Sequence, residues 1–466
     1  MYIEQLYTKC LSEAAYFIES NGEAAIIDPL RDIDQYIQLA ASKNAKIKYI
    51  FETHFHADFV SGHIDLAKKT GAQIVYGPGA QTAFEKHTAA DLELFKLGAI
   101  LLQAIHTPGH TLESTCFLLL NENNVPDAIF TGDTLFVGDV GRPDLFSGNL
   151  SKEELAEMMF ESLEKLKALP DHVKVYPAHG PGSSCGKNLG PNTHSTIGEE
   201  KATNYALQPQ TKEEFITSVT TGLNTPPVYF PINASINQKG YMSLDDVKTR
   251  GLTPLSVDDL KALKQENCII LDTRNATKFT EGFIPEAISI GLEGRFAEWA
   301  GALLPFHEKI ALVTDLGQEE ESLTRLARVG FDQLVGYLDG GFEAWIQAGE
   351  AVDLIIDVEA DEMKMDINYD PKMVIVDVRK ELEFDNGHVQ TGVNIPLNNM
   401  TDLTTLSNFE DTDNIYVHCA GGYRSVIACS LMKRQGIHNL RNVIGGYDAI
   451  KQVQGMPLVA AKEVLN

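Results

Sequence analysis

Long apolar runs are absent from this 466-residue sequence, and none approaches the ~18 residues that a membrane-spanning helix needs. The N-terminal stretch MYIEQLYTKCLSEAAYFIES scatters acidic and polar side chains where a secretory signal needs an unbroken apolar segment. Cysteine is also scarce, with six residues at positions 10, 116, 185, 268, 419 and 429, too dispersed for a disulfide framework. We therefore expect a cytoplasmic protein, or one of an equally reducing organelle matrix, in which every thiol is free to react.

Positive charge is in short supply as well. The chain has 38 Lys and Arg residues against 65 Asp and Glu residues, which gives a formal net charge of −27. A surface of that sign repels nucleic acid phosphates and anionic membranes, so we expect neither as a partner. A small anionic substrate would need a local cationic side chain, so any Arg beside a candidate site is of interest.

The length and the pattern of apolar runs indicate several domains, roughly three at ~100–200 residues each. Up to about residue 180, β-rich runs such as AAIID, IKYIFET and DAIFTGD alternate with helical patterns such as SKEELAEMMFESLEKLKAL. Residues 187–250 are poorer in pattern, and the stretch NTPPVYFPINASINQKGYM, residues 224–242, indicates turns and extended segments rather than a helix. We expect a homo-oligomer, with residues 187–250 as a candidate interface.

The last part of the chain repeats itself. IILDTR, EGFIPEAISI and LDGGFEAW recur as VIVDVR, NGHVQTGVNI and VIGGYDAI, each at an offset of 105 residues. A constant offset across separated landmarks indicates a duplicated small α/β domain. We therefore predict domain boundaries near residues 250 and 356, which divide the chain into 1–250, 251–355 and 356–466.

Side chains that can bind a metal follow successive β-rich runs. They are His54, His56 and Asp58 in ETHFHADFVSGH, His110 in TPGHTLEST, Asp133 in FTGDTLFVGD and His179 in YPAHGPGSSCG. Side chains two apart at a tight strand end, as in the first motif, project toward one ion. Because strand ends are rigid, the set as a whole predicts a metal site rather than isolated helix caps or core histidines.

In this order, the motifs resemble the metallo-β-lactamase fold, an αββα sandwich, over roughly residues 1–250. The resemblance implies two metal positions that share Asp133. The first is served by His54, His56 and His110, and the second by Asp58, a histidine directly after it, and His179. Phe59 stands where that histidine is expected. Because Zn²⁺ prefers four ligands rich in nitrogen and sulfur, the loss of one imidazole favours a single ion.

Within a one-ion site, His54, His110 and Asp133 make two imidazoles and one carboxylate, the ligand set of non-haem Fe(II) oxygenases. Such an ion keeps adjacent positions open for a substrate and O₂ together. The sequence therefore predicts one Fe(II) per chain as the cofactor. For His56 two roles stay open, direct ligation or the orientation of a ligand or water, and we expect Asp58 and His179 to orient the ligands.

The residues around these ligands narrow the resemblance. Together, these motifs are similar to those of persulfide dioxygenases: THFHADFVSGH, TPGHTLEST, GDTLFVGDVGRPD and YPAHGPGSSCG. A Phe at position 59 is similar to the members of that group that are fused to rhodanese domains. The resemblance implies that O₂ oxidises the outer sulfur of a low-molecular-weight thiol persulfide to sulfite, with release of the thiol.

Two residues beside the predicted ion are candidates for substrate binding, and each has two interpretations. Arg142, in GDVGRPD, is either part of a salt bridge with Asp139 or Asp144, or a guanidinium that attracts an anionic persulfide. Cys185, in the loop after the last histidine, is either an inert small apolar residue or a thiol that takes part in sulfur transfer.

A second site is predicted in the last repeat, where NIYVHCAGGYRSVIACSLMKRQG indicates a strand, a loop and a helix starting near Ser425. The loop consists of Cys419, Ala420, Gly421, Gly422, Tyr423 and Arg424. Backbone N–H groups and a helix N-terminus suit a thiolate or an anionic persulfide, and the glycines permit positive φ. The repeat resembles rhodanese sulfurtransferases, whose thiol loop has this length, whereas related phosphatases need one more residue. The resemblance implies sulfur transfer through Cys419 among persulfide, thiosulfate, sulfite and thiol.

The other copy, residues 251–355, departs from this pattern at the position of the reactive cysteine. At the 105-residue offset, Thr314 stands in place of Cys419, and Phe283 stands in place of His388. The acidic run 319–321 would repel an anionic persulfide. We expect this copy to be catalytically silent and to serve as a spacer or docking surface.

The two sites together predict a bifunctional enzyme, a persulfide dioxygenase with a thiosulfate sulfurtransferase. The main alternative is a metal-dependent thioester hydrolase of glyoxalase II type with an appended sulfurtransferase. The metal distinguishes them, because the hydrolase needs two zinc ions and consumes no O₂.

Overall fold

The computed structural model describes residues 1–145, 150–187, 189–223, 225–407 and 409–460. The chain divides into two compact units. The first comprises Met1–Asp246 together with Leu326–Asp332. The second comprises Val247–Arg325 and the chain from Gln333 onward.

The first unit is built on two six-stranded sheets. One sheet has, in spatial order, β1 Tyr2–Thr8, β2 Glu13–Ser20, β3 Glu23–Ile27, β4 Lys46–Phe51, β5 Gln73–Tyr76 and β6 His87–Thr88. The other has β7 Leu94–Leu97, β8 Ile100–His106, β9 Thr115–Leu120, β10 Pro126–Gly132, β11 Lys174–Pro177 and β12 Ser195–Thr196. Strands β3 to β6 run parallel, and so do β10 and β11. Each of these parallel connections needs a longer crossover than a hairpin does.

Helices cover the outer faces of both sheets. Those of the first unit are α1 Asp34–Ser42, α2 His63–Thr70, α3 Lys152–Lys167, α4 Ile197–Thr203, α5 Lys212–Thr220 and α6 Phe230–Lys239, and α7 Leu244–Gly251 spans the boundary with the second unit. A single 3₁₀ turn covers Tyr205–Leu207 among the described residues of this unit.

The apolar side chains of the first unit form three layers. Phe51 and Phe117, from opposite sheets, pack in a core between the sheets with their ring centroids 4.6 Å apart. Tyr36 of α1 packs on the outer face of the first sheet, and Met159 of α3 packs on the outer face of the second. Because the strands are buried on both faces, they read as continuous apolar runs such as AAIID rather than as an alternating pattern. This layering confirms the predicted αββα sandwich.

The prediction of turns and extended segments for residues 224–242 is wrong in part, since α6 occupies Phe230–Lys239. Its sequence is rich in weak helix formers, which is why the pattern did not indicate a helix. Pro231 lies in the first turn, where its fixed φ and missing N–H are tolerated. Tertiary contacts therefore decide the conformation of this segment.

Asn237, buried on α6, makes the contacts that matter most for the site. Its Nδ2 donates to the carbonyl oxygens of His56 and Phe59, both at 2.8 Å. Its Oδ1 accepts from the backbone N–H of Ser61 at 2.9 Å. One side chain thus satisfies three buried backbone groups of the loop between β4 and α2.

The second unit contains two copies of a small parallel α/β fold. The strands of the first copy are β13 Pro254–Leu255, β14 Ile269–Asp272, β15 Ile288–Ser289, β16 Ile310–Val313 and β17 Leu334–Leu338. Those of the second copy are β18 Ile356–Val358, β19 Met373–Asp377, β20 Gly387–Val389, β21 Gly392–Asn394, β22 Asn414–His418, β23 Leu440–Val443 and β24 Leu458–Ala460. The spatial orders are β13-β17-β16-β14-β15 and β18-β23-β22-β19-β21, while β20 pairs with β24. Equivalent strands occupy equivalent places, which confirms the predicted duplication.

Helices flank both of these sheets. In the first copy they are α8 Val257–Gln265, α9 Ala276–Glu281, α10 Phe296–Leu303, α11 Glu319–Arg328 and α12 Gly341–Gln347. In the second copy they are α13 Ala360–Ile367, α14 Glu381–Asp385, α15 Leu403–Leu406, α16 Tyr423–Arg434 and α17 Gly446–Ile450, with a 3₁₀ turn at Leu397–Asn399. Among the helices that the structure describes, none has the length and apolarity needed to cross a membrane.

We expect Asn237→Ala to lower the stability of the first unit by about 2–4 kcal/mol, because it leaves buried backbone groups without partners. Thermal unfolding followed by circular dichroism measures the effect as a lower temperature of the transition that belongs to this unit. Ser235→Ala, on the same helix, is the matched control and should leave that transition in place. An unchanged transition in Asn237→Ala would show that the loop does not depend on this side chain.

Candidate metal centre and thiol loop

The predicted metal ligands of the first unit lie at the ends of four strands. His54 follows β4, His110 follows β8, Asp133 directly follows β10, and His179 follows β11. All four side chains are buried. Residues up to 125 positions apart are thereby brought to one place by the two sheets.

His54, His110 and Asp133 converge on one point. The Nε2 atoms of His54 and His110 lie 3.7 and 3.3 Å from Oδ2 of Asp133. The two imidazole rings are 5.0 Å apart and nearly perpendicular, at 86°. Spacings of this size fit a single ion whose bonds to nitrogen and oxygen are ~2 Å long.

Hydrogen bonds fix which nitrogen of each imidazole faces that point. The Thr53 hydroxyl donates to Asp28 at 2.8 Å, because a carboxylate can only accept, and it therefore accepts from Nδ1 of His54 at 2.9 Å. Nδ1 of His110 donates to the carbonyl oxygen of Arg142 at 2.9 Å. Each Nε2 atom is thus left with a free lone pair.

Oδ2 of Asp133 is buried and has no hydrogen-bond partner among the described residues. Burial opposes ionisation of this carboxyl, but His179 and His54 outweigh it and hold the pKa of Asp133 below its ordinary value. An anionic oxygen without a partner in a dry site is costly unless a cation compensates it. Two free imidazole lone pairs and one such oxygen fit a divalent metal ion.

Two glycines allow the chain to close around this point. Gly132, at the end of β10, has φ +52°, and a Cβ there would lie 2.5 Å from Thr53 Oγ1. A Cβ on Gly141 would lie 2.0 Å from the carbonyl oxygen of Asp133 and 2.9 Å from Nδ1 of His110. Neither position has room for a side chain.

His179 bridges two carboxylates. Its Nδ1 donates to Oδ1 of Asp133 at 2.7 Å, and its Nε2 donates to Oδ2 of Asp58 at 2.8 Å. Burial alone would lower the pKa of His179, but the two carboxylates outweigh it and raise the pKa well above its ordinary value. In this arrangement His179 orients Asp133, while Asp58, His179 and Cys185 also lie close enough together to hold an ion.

His56 lies beside the triad but faces other groups. Its ring stacks on Phe59 at 4.3 Å and 30°, and it lies 4.2 Å from the ring of His54. Its Nε2 is 3.0 Å from Asp28 and 3.7 Å from Glu52. The geometry favours an orienting role for His56 over direct ligation. Phe59, which is fully buried, puts a packing surface where the resemblance expected a ligand.

The two candidate substrate-binding residues are both buried. Arg142 makes a two-pronged ion pair with Asp144, at 2.8 and 2.7 Å, as in one of its two interpretations. Cys185 lies beside Asp58, and burial, followed by the charges of Asp58 and Asp133, raises the pKa of its thiol well above the ordinary value. A thiol that stays protonated is a weak nucleophile. Substrate binding by either residue stays a prediction.

The thiol loop of the second unit joins β22 to α16, which begins at Tyr423, two residues before the predicted start. The sulfur of Cys419 accepts a hydrogen bond from the backbone N–H of Gly422 at 3.1 Å and lies 3.7 Å from Oγ of Ser425. Gly422 has φ +104°, so at least one of the two glycines adopts the positive φ that was expected of this loop. The loop therefore presents an N–H donor and a helix N-terminus to the sulfur, which suits a negative charge there.

Arg424 closes the loop through Glu383. The guanidinium donates to both carboxylate oxygens, at 2.7 and 2.8 Å, and this contact lowers the pKa of Glu383. Cys429, one helical turn further along α16, is fully buried, and burial raises the pKa of its thiol. Cys429 is therefore a packing residue.

The first copy, which we expect to be silent and call the silent copy, contacts this loop directly. The Tyr423 hydroxyl donates to the carbonyl oxygen of Gly291 at 2.8 Å, and a Cβ on Gly294 would lie 2.3 Å from the Tyr423 ring. A cavity of about 420 Å³ is lined by residues of both copies, among them Gly422 and Thr280. The surroundings of Cys419 thus include the copy that has Thr314 in the equivalent place.

Known proteins share this architecture. Residues 8–179 match the model of the metallo-beta-lactamase superfamily, and residues 256–348 and 359–453 match the rhodanese-like domain. The crystal structure of a metallo-beta-lactamase from Staphylococcus aureus subsp. aureus COL is 34% identical, with a TM-score of 0.65, over 72% of this chain and 98% of that one. The chain belongs to the metallo-beta-lactamase superfamily. Two rhodanese-like domains follow its metallo-beta-lactamase domain, as predicted.

Curated relatives within the metallo-beta-lactamase superfamily carry hydrolase names. Hydroxyacylglutathione hydrolase of Pelagibacter ubique is 33% identical over 37% of this chain and 68% of its own length. Glyoxylase B2 of Dictyostelium discoideum is 30% identical over 46% of this chain and 76% of its own length. For the first three curated relatives, the matched part is 58–68% of their length. The similarity establishes a family and not a substrate.

Sequence reasoning missed several residues that hold the metallo-beta-lactamase site together. Asp28 and Thr53 orient His54, and Asn237 holds the loop that carries it. An acidic residue directly after the buried run AAII was a usable signal for Asp28. Asn237 gave no such signal, because its partners are backbone groups about 180 residues away.

We expect Phe59→His to increase the zinc bound per chain from about one toward two, because it restores an imidazole beside Asp58 and His179. Zinc content after dialysis, measured by elemental analysis, checks this. Phe59→Leu removes the same ring without adding a ligand and should leave the content near one. Equal zinc in both variants would show that the ring does not limit the number of metals.

Proposed function

We propose that this chain oxidises a low-molecular-weight thiol persulfide with O₂ at one Fe(II) held by His54, His110 and Asp133, and that it transfers sulfane sulfur through Cys419. The observation that carries the first half is the triad, in which two free Nε2 lone pairs meet an unpartnered carboxylate oxygen. Two imidazoles and one carboxylate form the ligand set of non-haem Fe(II) oxygenases.

Bound Fe(II) would supply redox chemistry and open positions for the reaction of O₂ with the outer sulfur. In balanced form, R–S–SH, O₂ and H₂O give R–SH, HSO₃⁻ and H⁺. The outer sulfur is oxidised and O₂ is reduced by the same four electrons, so no outside reductant is consumed.

The residues of this chain bind and orient the participants. Thr53 and the Arg142 carbonyl hold the two imidazoles with Nε2 free, and His179 holds Asp133. Burial of the triad excludes bulk water, which strengthens each electrostatic contact inside it. Phe59, at the place of a further imidazole, leaves the group around Asp58 and His179 with one ligand fewer than the family pattern implies.

In the second half of the proposal, the Cys419 thiolate attacks the outer sulfur of thiosulfate. A bond forms between the two sulfurs, the original sulfur–sulfur bond breaks, and its electron pair leaves with sulfite. An acceptor thiolate then takes the outer sulfur, which regenerates the Cys419 thiolate and gives the persulfide of the acceptor. Gly422 N–H stabilises the charge on sulfur.

Joining the two activities in one chain is consistent with their chemistry. Sulfite is a product of the first reaction and a partner of the second, and persulfide is shared as well. A tether raises the effective concentration of a shared intermediate at the other site.

Thioester hydrolysis of glyoxalase II type is the second candidate, and the names of the curated relatives favour it. That chemistry in this family relies on two metals. Phe59 and the doubly hydrogen-bonded His179 count against a second metal in this chain. For this reason we place persulfide oxidation first.

We expect purified protein to contain about one iron per chain and to take up O₂ when given glutathione persulfide. His110→Ala should lose both, because it removes one of three ligands. His106→Ala changes a histidine at the end of the same strand, outside the triad, and should keep both. Elemental analysis and an oxygen electrode make the measurements. Two zinc ions per chain with thioester cleavage and no O₂ uptake would sink the oxygenase proposal in favour of the hydrolase.

Cys419→Ser should stop sulfur transfer from thiosulfate to a thiol acceptor and leave persulfide-dependent O₂ uptake unchanged. The reason is that the hydroxyl cannot carry sulfane sulfur as a persulfide, while the triad lies in another domain. Cys10→Ser is the control and should retain both activities. Continued transfer in Cys419→Ser would assign it to another thiol, such as Cys185.

A further inference from the structure

A row of hydrogen bonds connects the thiol loop to the silent copy. We call it the relay; it consists of Cys419, Ser425, Asn442, Asp357 and Thr280. Ser425 Oγ lies 3.7 Å from the Cys419 sulfur and donates to Oδ1 of Asn442 at 2.7 Å. Asn442 Nδ2 donates to Oδ1 of Asp357 at 2.7 Å. Thr280, on α9 of the silent copy, donates to the other oxygen of Asp357 at 2.6 Å.

The carboxylate at one end sets the direction of every bond in the relay. Asp357 can only accept, so Asn442 must turn its amide nitrogen toward it. The amide oxygen of Asn442 then faces Ser425, and the single hydroxyl hydrogen of Ser425 points to that oxygen. The carbonyl oxygen of Gly422, 3.0 Å from Ser425 Oγ, is an alternative acceptor for the same hydrogen.

Ser425 therefore presents a lone pair, and not a hydrogen, to Cys419. A lone pair accepts from the S–H of a thiol, whereas a thiolate or a persulfide anion needs a donor. The Gly422 N–H acts in the opposite sense, because it donates to the sulfur at 3.1 Å. The loop thus holds one group that suits the anion and one that suits the protonated thiol.

We propose that Asn442 is a positioning residue that keeps the Ser425 hydroxyl turned away from Cys419, and that Thr280 of the silent copy braces it through Asp357. In this orientation the Ser425 hydroxyl offers no hydrogen to a negative charge on the Cys419 sulfur, which limits the reactivity of that sulfur in the resting enzyme. The silent copy then restrains the nucleophile of the active copy. The proposal rests on the assignment of Cys419 as the sulfur carrier.

Burial and a cavity support this role. Ser425 is 0% exposed and Asn442 5% exposed, so neither can exchange its partner for bulk water. Thr280, Asp357 and Asn442 all line the cavity between the copies. A molecule that enters this cavity meets the relay before it meets the sulfur.

The position of the silent copy relative to the loop is also fixed at other points. The backbone N–H of Ser289 donates to Ser430 Oγ on α16 at 3.0 Å, and Tyr423 donates to Gly291. The buried Thr280 hydroxyl has a second possible acceptor, the carbonyl oxygen of Thr277 on its own helix at 2.9 Å, but the charged oxygen of Asp357 is closer. The brace is therefore part of a fixed interface and not a mobile surface contact.

The test is the rate at which iodoacetamide alkylates Cys419 at fixed pH, followed by mass spectrometry of the peptide that contains it. Asn442→Ala removes one acceptor, so the Gly422 carbonyl and the Cys419 sulfur compete for the Ser425 hydrogen. Where the sulfur receives it, we expect alkylation up to about fivefold faster, the factor that one net hydrogen bond represents. In a Ser425→Ala background, Asn442→Ala should have no further effect. A mere opening of the loop would accelerate alkylation in both backgrounds.

Substitutions in the silent copy test the brace without touching the active copy. Thr280→Val should accelerate alkylation by about twofold or more, while Thr280→Ser, which keeps the hydroxyl, should match the unchanged protein. Thr277→Val, on the same helix and beside the same cavity, is the matched control. These variants carry the test if Asn442→Ala fails to fold.

Equal alkylation rates in Asn442→Ala and the unchanged protein would overturn the proposal, and so would an acceleration that persists without the Ser425 hydroxyl. The measurement needs no sulfur transfer. Its outcome is therefore separate from that of Cys419→Ser, which tests the sulfurtransferase itself.

Discussion

A carboxylate buried away from bulk solvent is the constraint on which the first site depends. Asp133 would be expensive to ionise in isolation, so the surrounding groups must either protonate it or supply positive charge. His179 supplies part of that charge, and its other nitrogen is tied to Asp58. The oxygen left over defines where a cation has to lie. The ligand geometry is therefore a consequence of how one buried charge is compensated.

A second buried acid, Asp28, performs a different task near the same site. Asp28 accepts from Thr53, which orients His54, and also lies beside His56. Two histidines two positions apart in the chain are thereby given different environments. The stack of His56 on Phe59 reinforces the difference. Phe59, which stands in place of an expected ligand, therefore also changes the surroundings of a histidine that remains.

Much of the fold was accessible from the sequence, because buried strands, strand-end ligands and a constant repeat offset leave direct marks on residue order. The identities of the triad and of the thiol loop follow from the same marks. What the sequence did not show depends on partners remote in the chain. Helix α6 forms against weak propensity, and Asn237 on this helix bonds to backbone groups about 180 residues away. The contact between Tyr423 and Gly291 has no local signature either.

Asn237 gives the first unit a particular order of completion. All the ligands that the site needs have been synthesised once His179 has left the ribosome, but the loop that carries His54 still lacks the side chain that satisfies its backbone. That side chain follows 58 residues later. A nascent chain therefore contains the ligands before it contains the side chain that fixes their loop. The ligands are therefore held in fixed positions only in the finished unit. A shorter nascent chain holds the same ligands less rigidly and so discriminates less between metal ions.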